Sequence, residues 1–340
     1  MARGDERRVL LAHGGGGIMM RDLIAEVILR HIGNPTLARL EDAAVLAPQG
    51  SRLAFTTDAF VVKPIFFRGG DIGRLAVCGT VNDLAAMGAR PLALSLAMVI
   101  EEGFRFADLE RVLQSVAAAA SEACVEVVTG DTKVVERGAA DGLFLITAGI
   151  GAVPDGVFLS PTEVRPGDAV IASGTLGDHG IAILSERNGL EFETPVTSDV
   201  APLADLAAHI VSAAPGGIHC MRDPTRGGAA AVLNEIASAA AVEIEIVESA
   251  LPIRREVAAA CDMLGFDPLY VPNEGRLIVF CGGEFAEACV ARMRGHPLGP
   301  DAVLVGRARQ GAPGRVVLRT RIGGSRIIAA PYGEQLPRIC

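Results

Sequence analysis

The chain has 340 residues, half of them apolar and only 4% aromatic, with a formal charge of -9. That acidic balance argues against nucleic-acid binding, which needs a basic face, and no apolar run is long enough to span a bilayer: the longest, Pro91 to Ile100, ends at Glu101–Glu102. Seven cysteines, odd in number and without C-x-x-C spacing, argue against a disulfide framework or a structural zinc site.

The charged start (Arg3, Asp5, Glu6, Arg7, Arg8) lacks the apolar core of a signal peptide, so a soluble, cytoplasmic protein is expected. Apolar runs of strand length then alternate with longer helix-like segments, which predicts an α/β chain with room for two domains. Gly14–Gly17 runs into a helix over 18–31, followed by a strand over 53–57 and a helix over 72–87 that Gly88 stops. A strand over 92–100, a helix over 106–123 and strands over 126–129 and 143–149 complete a first domain, 1–150. Gly, Pro and Asp cluster at 149–155 and mark the boundary.

Beyond it the pattern predicts strands over 169–173, 242–246, 277–280 and 303–305. Helices are expected over 179–188, 203–213, 228–239, 254–264 and 285–294. From Gln310 the composition turns to Gly, Pro and Arg without helical periodicity, which gives a second domain over 151–310 and a mobile tail over 311–340. The 12 residues after Ile328 could span about 40 Å if extended. The tail ends on Cys340, whose thiol no following backbone constrains, so it can be carried to another site.

Five aspartates are expected at turns or beside apolar strands: Asp42 (LEDAAVL), Asp58 (FTTDAF), Asp83 (GTVNDLAAMGA), Asp131 (VTGDTKVV) and Asp223 (MRDPTRGG). A carboxylate after a strand projects into the cleft where α/β folds bind ligands. If several converge, magnesium together with substrate phosphates relieves their repulsion. For any one of them a helix cap or a turn is an equally good reading. Lys133 and the Arg226–Gly227–Gly228 turn offer cation and backbone N–H groups to phosphate, as does the glycine run at 14–17, although no Walker loop is present. Lys63 reads as a surface residue, and spacing alone reads Glu274 (VPNEGRL) as a turn glutamate. His13, His179, His209 and His219 lack metal-pair spacing and read as structural or solvated.

Taken together, HGGGGIMM, LEDAAVL, FTTDAFVVKPIFFRGGDIG, GTVNDLAAMGA, TGDTKVV, MRDPTRGG, VPNEGR and the closing GEQLPRIC resemble the HypE family of hydrogenase maturation factors. That family lies within the aminoimidazole ribonucleotide synthetase (PurM-like) superfamily. The closing segment is the most specific, because related superfamily members do not end this way. Gly15 and Ala59 stand where serines are expected.

The resemblance implies a two-domain PurM-like fold whose first domain pairs in a homodimer around a β-barrel-like centre, with ATP and Mg2+ near that interface. It implies that a carbamoyltransferase, HypF, loads the Cys340 thiol, that ATP drives dehydration of the S-carbamoyl group to S-cyanate, and that a HypC–HypD iron complex receives it as a cyanide ligand for [NiFe]-hydrogenase. On the same pattern Asp42, Asp58, Asp83, Asp131 and Asp223 would hold metal. Asp58, Asn82, Asp83, Gly130, Asp131, Thr132, Lys133, Arg226 and Gly227 would contact ATP. Cys340 would be carrier and substrate, Glu274 the base, and Lys133 would steady developing charge. Two other readings stay open: a related ATP-dependent enzyme acting on a free small molecule, and a non-catalytic carrier or scaffold that docks through its C-terminal peptide.

Overall fold

The structure, a computed structural model, describes residues 17–28, 37–46, 52–189, 196–333 and 336–340. Gly14–Gly16 and the last three residues (29–31) of the helix expected over 18–31 lie outside those residues; α1 (Ile18–Leu23) continues as a π-type turn to Ile28.

The first sheet joins β1 (Ala44–Leu46), β2 (Leu53–Phe60), β7 (Leu143–Ala152), β5 (Arg90–Glu101) and β6 (Glu126–Val135), in that order. Alternation along β2 sends Ala54, Thr56 and Phe60 inward and Phe55, Thr57 and Ala59 outward. Helix α2 (Ile72–Ala86) covers the inner face, with α3 (Phe106–Glu122) packed against it. Asp71 starts α2 by accepting the N–H groups of Gly73 (2.9 Å) and Arg74 (3.0 Å) on Oδ1. Between β2 and α2 lies a small hairpin of β3 (Phe66–Phe67) and β4 (Gly70–Asp71).

The second sheet runs β14 (Ser325–Ile327), β13 (Arg315–Arg319), β10 (Glu243–Val247), β12 (Val303–Arg309), β8 (Ala169–Ala172), β11 (Ile278–Cys281), β9 (Ile218–Arg222). Helices cover both its faces. Val170 and Ala172 of β8 pack with α6 (Gly228–Ala240), while Ala169 and Ile171 face α5 (Ala204–Ala213) and α8 (Ala286–Arg294). Burial on both faces explains why β8 and β11 read as unbroken apolar runs.

The stretch expected to begin a mobile tail at 311 is instead part of this sheet. Residues 315–319 pair in parallel with β10, and β14 folds back on β13. Val316, Val317 and Leu318 are all buried between exposed Arg315 and Arg319, a three-residue apolar run too short to stand out among Gly, Pro and Arg. The second domain therefore runs on to Ile328, which is itself buried.

The two domains share a core. Val62, Ile72 and Val77 of the first pack in one cluster with Val257 of α7 (Arg255–Leu264), Ile181 of α4 (Asp178–Asn188) and Val271. Leu336 and Ile339 from the end of the chain belong to the same cluster.

Candidate active site

Three of the five aspartates do not sit at turns. Asp58 is in strand β2, Asp83 is inside helix α2 and Asp131 is inside strand β6; only Asp42 before β1 and Asp223 after β9 lie in connections. The fold nevertheless brings four together. Asp42, Asp83 and Asp223 each present a carboxylate oxygen, all within 4.8 Å of one another, and Asp58 lines the same cleft of about 510 Å³. That volume is in the range of small-molecule sites.

Threonines from the inner face of the sheet and from α2 orient two of these acids. Thr56 donates to Asp83 Oδ2 (2.7 Å) and Thr80 to Asp58 Oδ2 (2.9 Å), while Thr80 also meets the Thr147 hydroxyl at 2.5 Å. The Arg222 guanidinium stands 2.5 Å from Asp42 Oδ2, off the line of its N–H, so the contact is an ion pair without a hydrogen bond. Sequence reasoning passed over Arg222 and the threonines, although MRDPTRGG placed Arg222 beside a candidate acid.

Burial dominates the electrostatics. It pushes Asp42 up to about 7 despite Arg222, and Asp223 up to about 6. Asp83 rises well above the carboxylate range, since Asp58, Asp223 and Asp42 all add to its burial. Asp58 is raised too, held back by Thr80 and Arg226. Such a set of hard oxygen donors that resist carrying their charges together fits a divalent cation such as Mg2+.

Helix α6 opens onto the cleft. Gly227 precedes it at φ 76, where a side chain would be strained, and no side chain among the described residues caps the helix; Gly228 N–H already donates to Thr225 O (2.8 Å), so the N–H groups that follow it are the ones that would meet phosphate beside Asp223 and Arg226.

Glu274 is 2% exposed, and its Oε1 has no hydrogen-bond partner among the described residues. Burial, then Asp223, Asp199 and Asp58, raise its pKa well above the ordinary glutamate value. It is not a surface turn residue. The segment is pinned by Asp199, whose Oδ1 accepts the Glu274 N–H at 3.0 Å. No local pattern around Asp199 announced this.

The remaining assignments come out differently. Asn82 faces the second domain: its amide donates to Ala201 O (3.1 Å) and Glu274 O (3.0 Å) and accepts Leu203 N–H (2.8 Å). With those groups engaged and the residue fully buried, it ties the domains together rather than contacting a nucleotide. Gly130, Asp131, Thr132 and Lys133 lie on the exposed edge strand β6, over a separate shallow depression. Asp131 and Lys133 pair with each other at 2.8 Å, with side chains 63% and 70% exposed. Gly130 is needed for packing, since a Cβ there would fall 2.1 Å from Leu96 O. A single chain thus does not bring these four residues to the cleft. Of the histidines read as lone, His209 meets His296 and Asp205 on the surface. His296 is saturated there, accepting Leu298 N–H on Nδ1 and contacting Asp205 through Nε2.

The tail is docked. Val61 N–H donates to Cys340 O and Lys63 N–H to Arg338 O, both at 3.1 Å, which sets the last residues antiparallel to the continuation of β2. Cys340 is half-buried against the shared core. Nearer its root the tail is clipped by the start of the chain: Ile18 N–H donates to Pro331 O (2.8 Å) and Met19 N–H to Tyr332 O (3.2 Å).

Known proteins share this arrangement. The AIR synthase related protein N-terminal domain family matches residues 40–153, and the corresponding C-terminal domain family matches 165–319. A carbamoyl dehydratase HypE of Bradyrhizobium diazoefficiens is 53% identical over 97% of this chain and 95% of its own. A HypE crystal structure in complex with ATP is 47% identical with a TM-score of 0.83, covering 98% of this chain and 100% of its own. A HypE–HypF complex matches at 45% identity and a TM-score of 0.87, over 91% of this chain and 99% of that one. The paired domain matches and this identity over nearly the whole length make the chain a member of the HypE family of carbamoyl dehydratases, within the AIR synthase related proteins.

Proposed function

We propose that the protein is an ATP-dependent dehydratase acting on its own C-terminus, converting an S-carbamoyl group on Cys340 to S-cyanate for the cyanide ligand of [NiFe]-hydrogenase. The observation that carries this reading is the seating of Cys340 beside Val61, three residues along the chain from Asp58. At about 3.3 Å per residue, roughly 10 Å of strand separates them, and the antiparallel alignment directs the chain's end toward the acids.

In the reaction the carbamoyl oxygen takes the γ-phosphoryl group of ATP, and the nitrogen gives up a proton. The C–O bond then breaks as the nitrogen loses its second proton, leaving S–C≡N, phosphate and ADP. Asp42, Asp58, Asp83 and Asp223 are the groups that would hold Mg2+, which when bound neutralises phosphate charge. Arg226 and the uncapped start of α6 face the same space. Glu274 would take the nitrogen proton, because a carboxyl with a raised pKa is a stronger base than an exposed one.

Residues Asp131 to Lys133 enter this scheme through a second copy. The row of apolar residues on the open face and edge of the first sheet (Phe55, Leu92, Val128, Val134, Ile150) suits a homodimer, in which the partner's strand would be brought to each cleft. The HypE–HypF and ATP complexes of the relatives support HypF as the loading partner and ATP as the co-substrate. Delivery to a HypC–HypD complex and a cytoplasmic site of action complete the reading.

Intact mass of the C-terminal peptide tests it. Loading with HypF and carbamoyl phosphate adds one carbamoyl group, and ATP then removes one water. Deleting Cys340 abolishes both changes and leaves ATP affinity in place; product from the deletion variant would end the carrier role.

A further inference from the structure

The docked tail is held by more than the two backbone hydrogen bonds, and one helix supplies most of the rest. His179, in the first turn of α4, contacts Ile339 O through Nε2 at 3.0 Å and Ser198 Oγ through Nδ1 at 2.8 Å. A carbonyl can only accept, so Nε2 carries the proton and Nδ1 accepts the serine hydroxyl. Phe67 packs edge-on against the same ring. At the other end of α4, Arg187 donates to Pro337 O (2.8 Å), Arg338 O (2.7 Å) and Lys63 O (2.6 Å). Val61 O, the other carbonyl of the strand, accepts Arg338 Nε at 2.9 Å.

Arg338 also reaches Asp141, which Lys63 contacts at 2.8 Å. Its backbone lies at φ 55, a conformation a non-glycine residue adopts at a cost. The kink sends Ile339 into the shared core, where it is buried.

We infer that His179 and Arg187 are positioning residues, two arms of α4 that grip the main chain of residues 337–339 and so aim Cys340 along β2 toward the acid-lined cleft. Both read carbonyls rather than side chains; Leu336 and Ile339 fill the apolar sockets, and Asp141 reads Arg338. Neither residue touches the reacting atoms. They set the fraction of time the thiol is docked rather than presented outside for loading.

The inference rests on Cys340 being the carried group, and alkylation of that thiol reports docking whatever chemistry follows. The full-length protein is treated with iodoacetamide, and labelling of Cys340 is measured by mass spectrometry against Cys124, which is exposed on the same chain. Arg187→Met and His179→Phe each raise the Cys340-to-Cys124 rate ratio about tenfold, the shift expected from losing hydrogen bonds of ordinary strength. His179→Gln keeps an N–H donor and stays within about twofold of the parent. In the loaded protein the ATP-dependent loss of water slows in Arg187→Met by less than the labelling ratio rises, because the docked fraction falls less steeply than the exposed fraction grows, while carbamoyl loading does not slow. An unchanged labelling ratio in Arg187→Met overturns the inference, as does an equal rise in His179→Phe and His179→Gln. If His179→Phe fails to fold, Arg187→Met decides alone.

Discussion

Asp58 and Asp131 stand on two strands of one sheet, in opposite surroundings. Asp58 on β2 lies under α2, receives the Thr80 hydroxyl and shares its cleft with Asp42, Asp83 and Asp223 among other carboxylates, and burial lifts its pKa. Asp131 on β6 faces water, where the hydrogen bond from Lys133 lowers its pKa. The sequences around them, FTTDAF and VTGDTKVV, are alike in their small and β-branched residues. Cover makes the difference: β2 is interior to the sheet and roofed by a helix, whereas β6 is an edge strand with almost every residue exposed. A buried acid set carries an unmet demand for positive charge, while an exposed acid is satisfied by lysine and water.

The largest effect expected from this contrast is at Glu274. Glu274→Gln, which removes a buried carboxyl of raised pKa, lets carbamoyl loading proceed and slows dehydration by about 10²- to 10⁴-fold in a single-turnover assay. A normal rate would remove it as the base.

Asp83→Asn breaks the contrast from the side of the cleft. Magnesium-dependent ATP affinity drops about tenfold or more by calorimetry, yet the metal-free protein melts at a higher temperature, because one of several mutually repelling buried carboxyls is gone. The pH dependence follows from the same acids. Their folded pKa values lie above the unfolded ones, so the native state keeps protons that the unfolded chain releases. Their contribution is present below about pH 4 and is lost as the pH rises through about 6 and 7. In EDTA the Tm difference between pH 5 and pH 7.5 is therefore smaller in Asp83→Asn than in the parent; equal differences would mean that the carboxylates do not repel.

Val128→Asp sharpens the comparison from the side of the strand. A charge on that exposed apolar edge converts a dimer to a monomer in sedimentation and leaves the fold intact. A dimer that survives would place the interface elsewhere. Asp131→Asn has the smallest expected effect, an unfolding midpoint in denaturant that stays where the parent's is, as befits an exposed pair. A lower midpoint would show that β6 is more covered than it looks.

Much of the fold was legible because it rests on local patterns. The expected strands and the helices after 70 come within a few residues of their predicted ends, except β6, which runs six residues past its expected end at 129, and Gly88 and Gly189 take the left-handed conformation just past α2 and α4. Where tertiary context decides, the sequence was silent. IHCMR at 218–222 and RVVLR at 315–319 become strands because neighbouring strands accept them. Asp83 falls inside the helix expected over 72–87, but only the fold shows that its small neighbours let α2 sink between sheet and second domain. Asn82 was read as a polar contact from its place beside Asp83, and successive residues on a helix point about 100° apart, so one faces the cleft and the other the domain junction. Arg222 and Asp199 act through partners more than 70 residues away in sequence, a separation that no motif spans.

The clip between Ile18–Met19 and Pro331–Tyr332 fixes the length of a leash. While it holds, the eight positions from 333 to 340 set a chain length that reaches at most about 28 Å from the anchor. A protein that hands a group to the terminal sulfur, or collects one from it, must then bring its own reaction centre inside that radius. On the proposed carrier reading the traffic on this molecule is short-range, and the visiting enzyme has to make the journey.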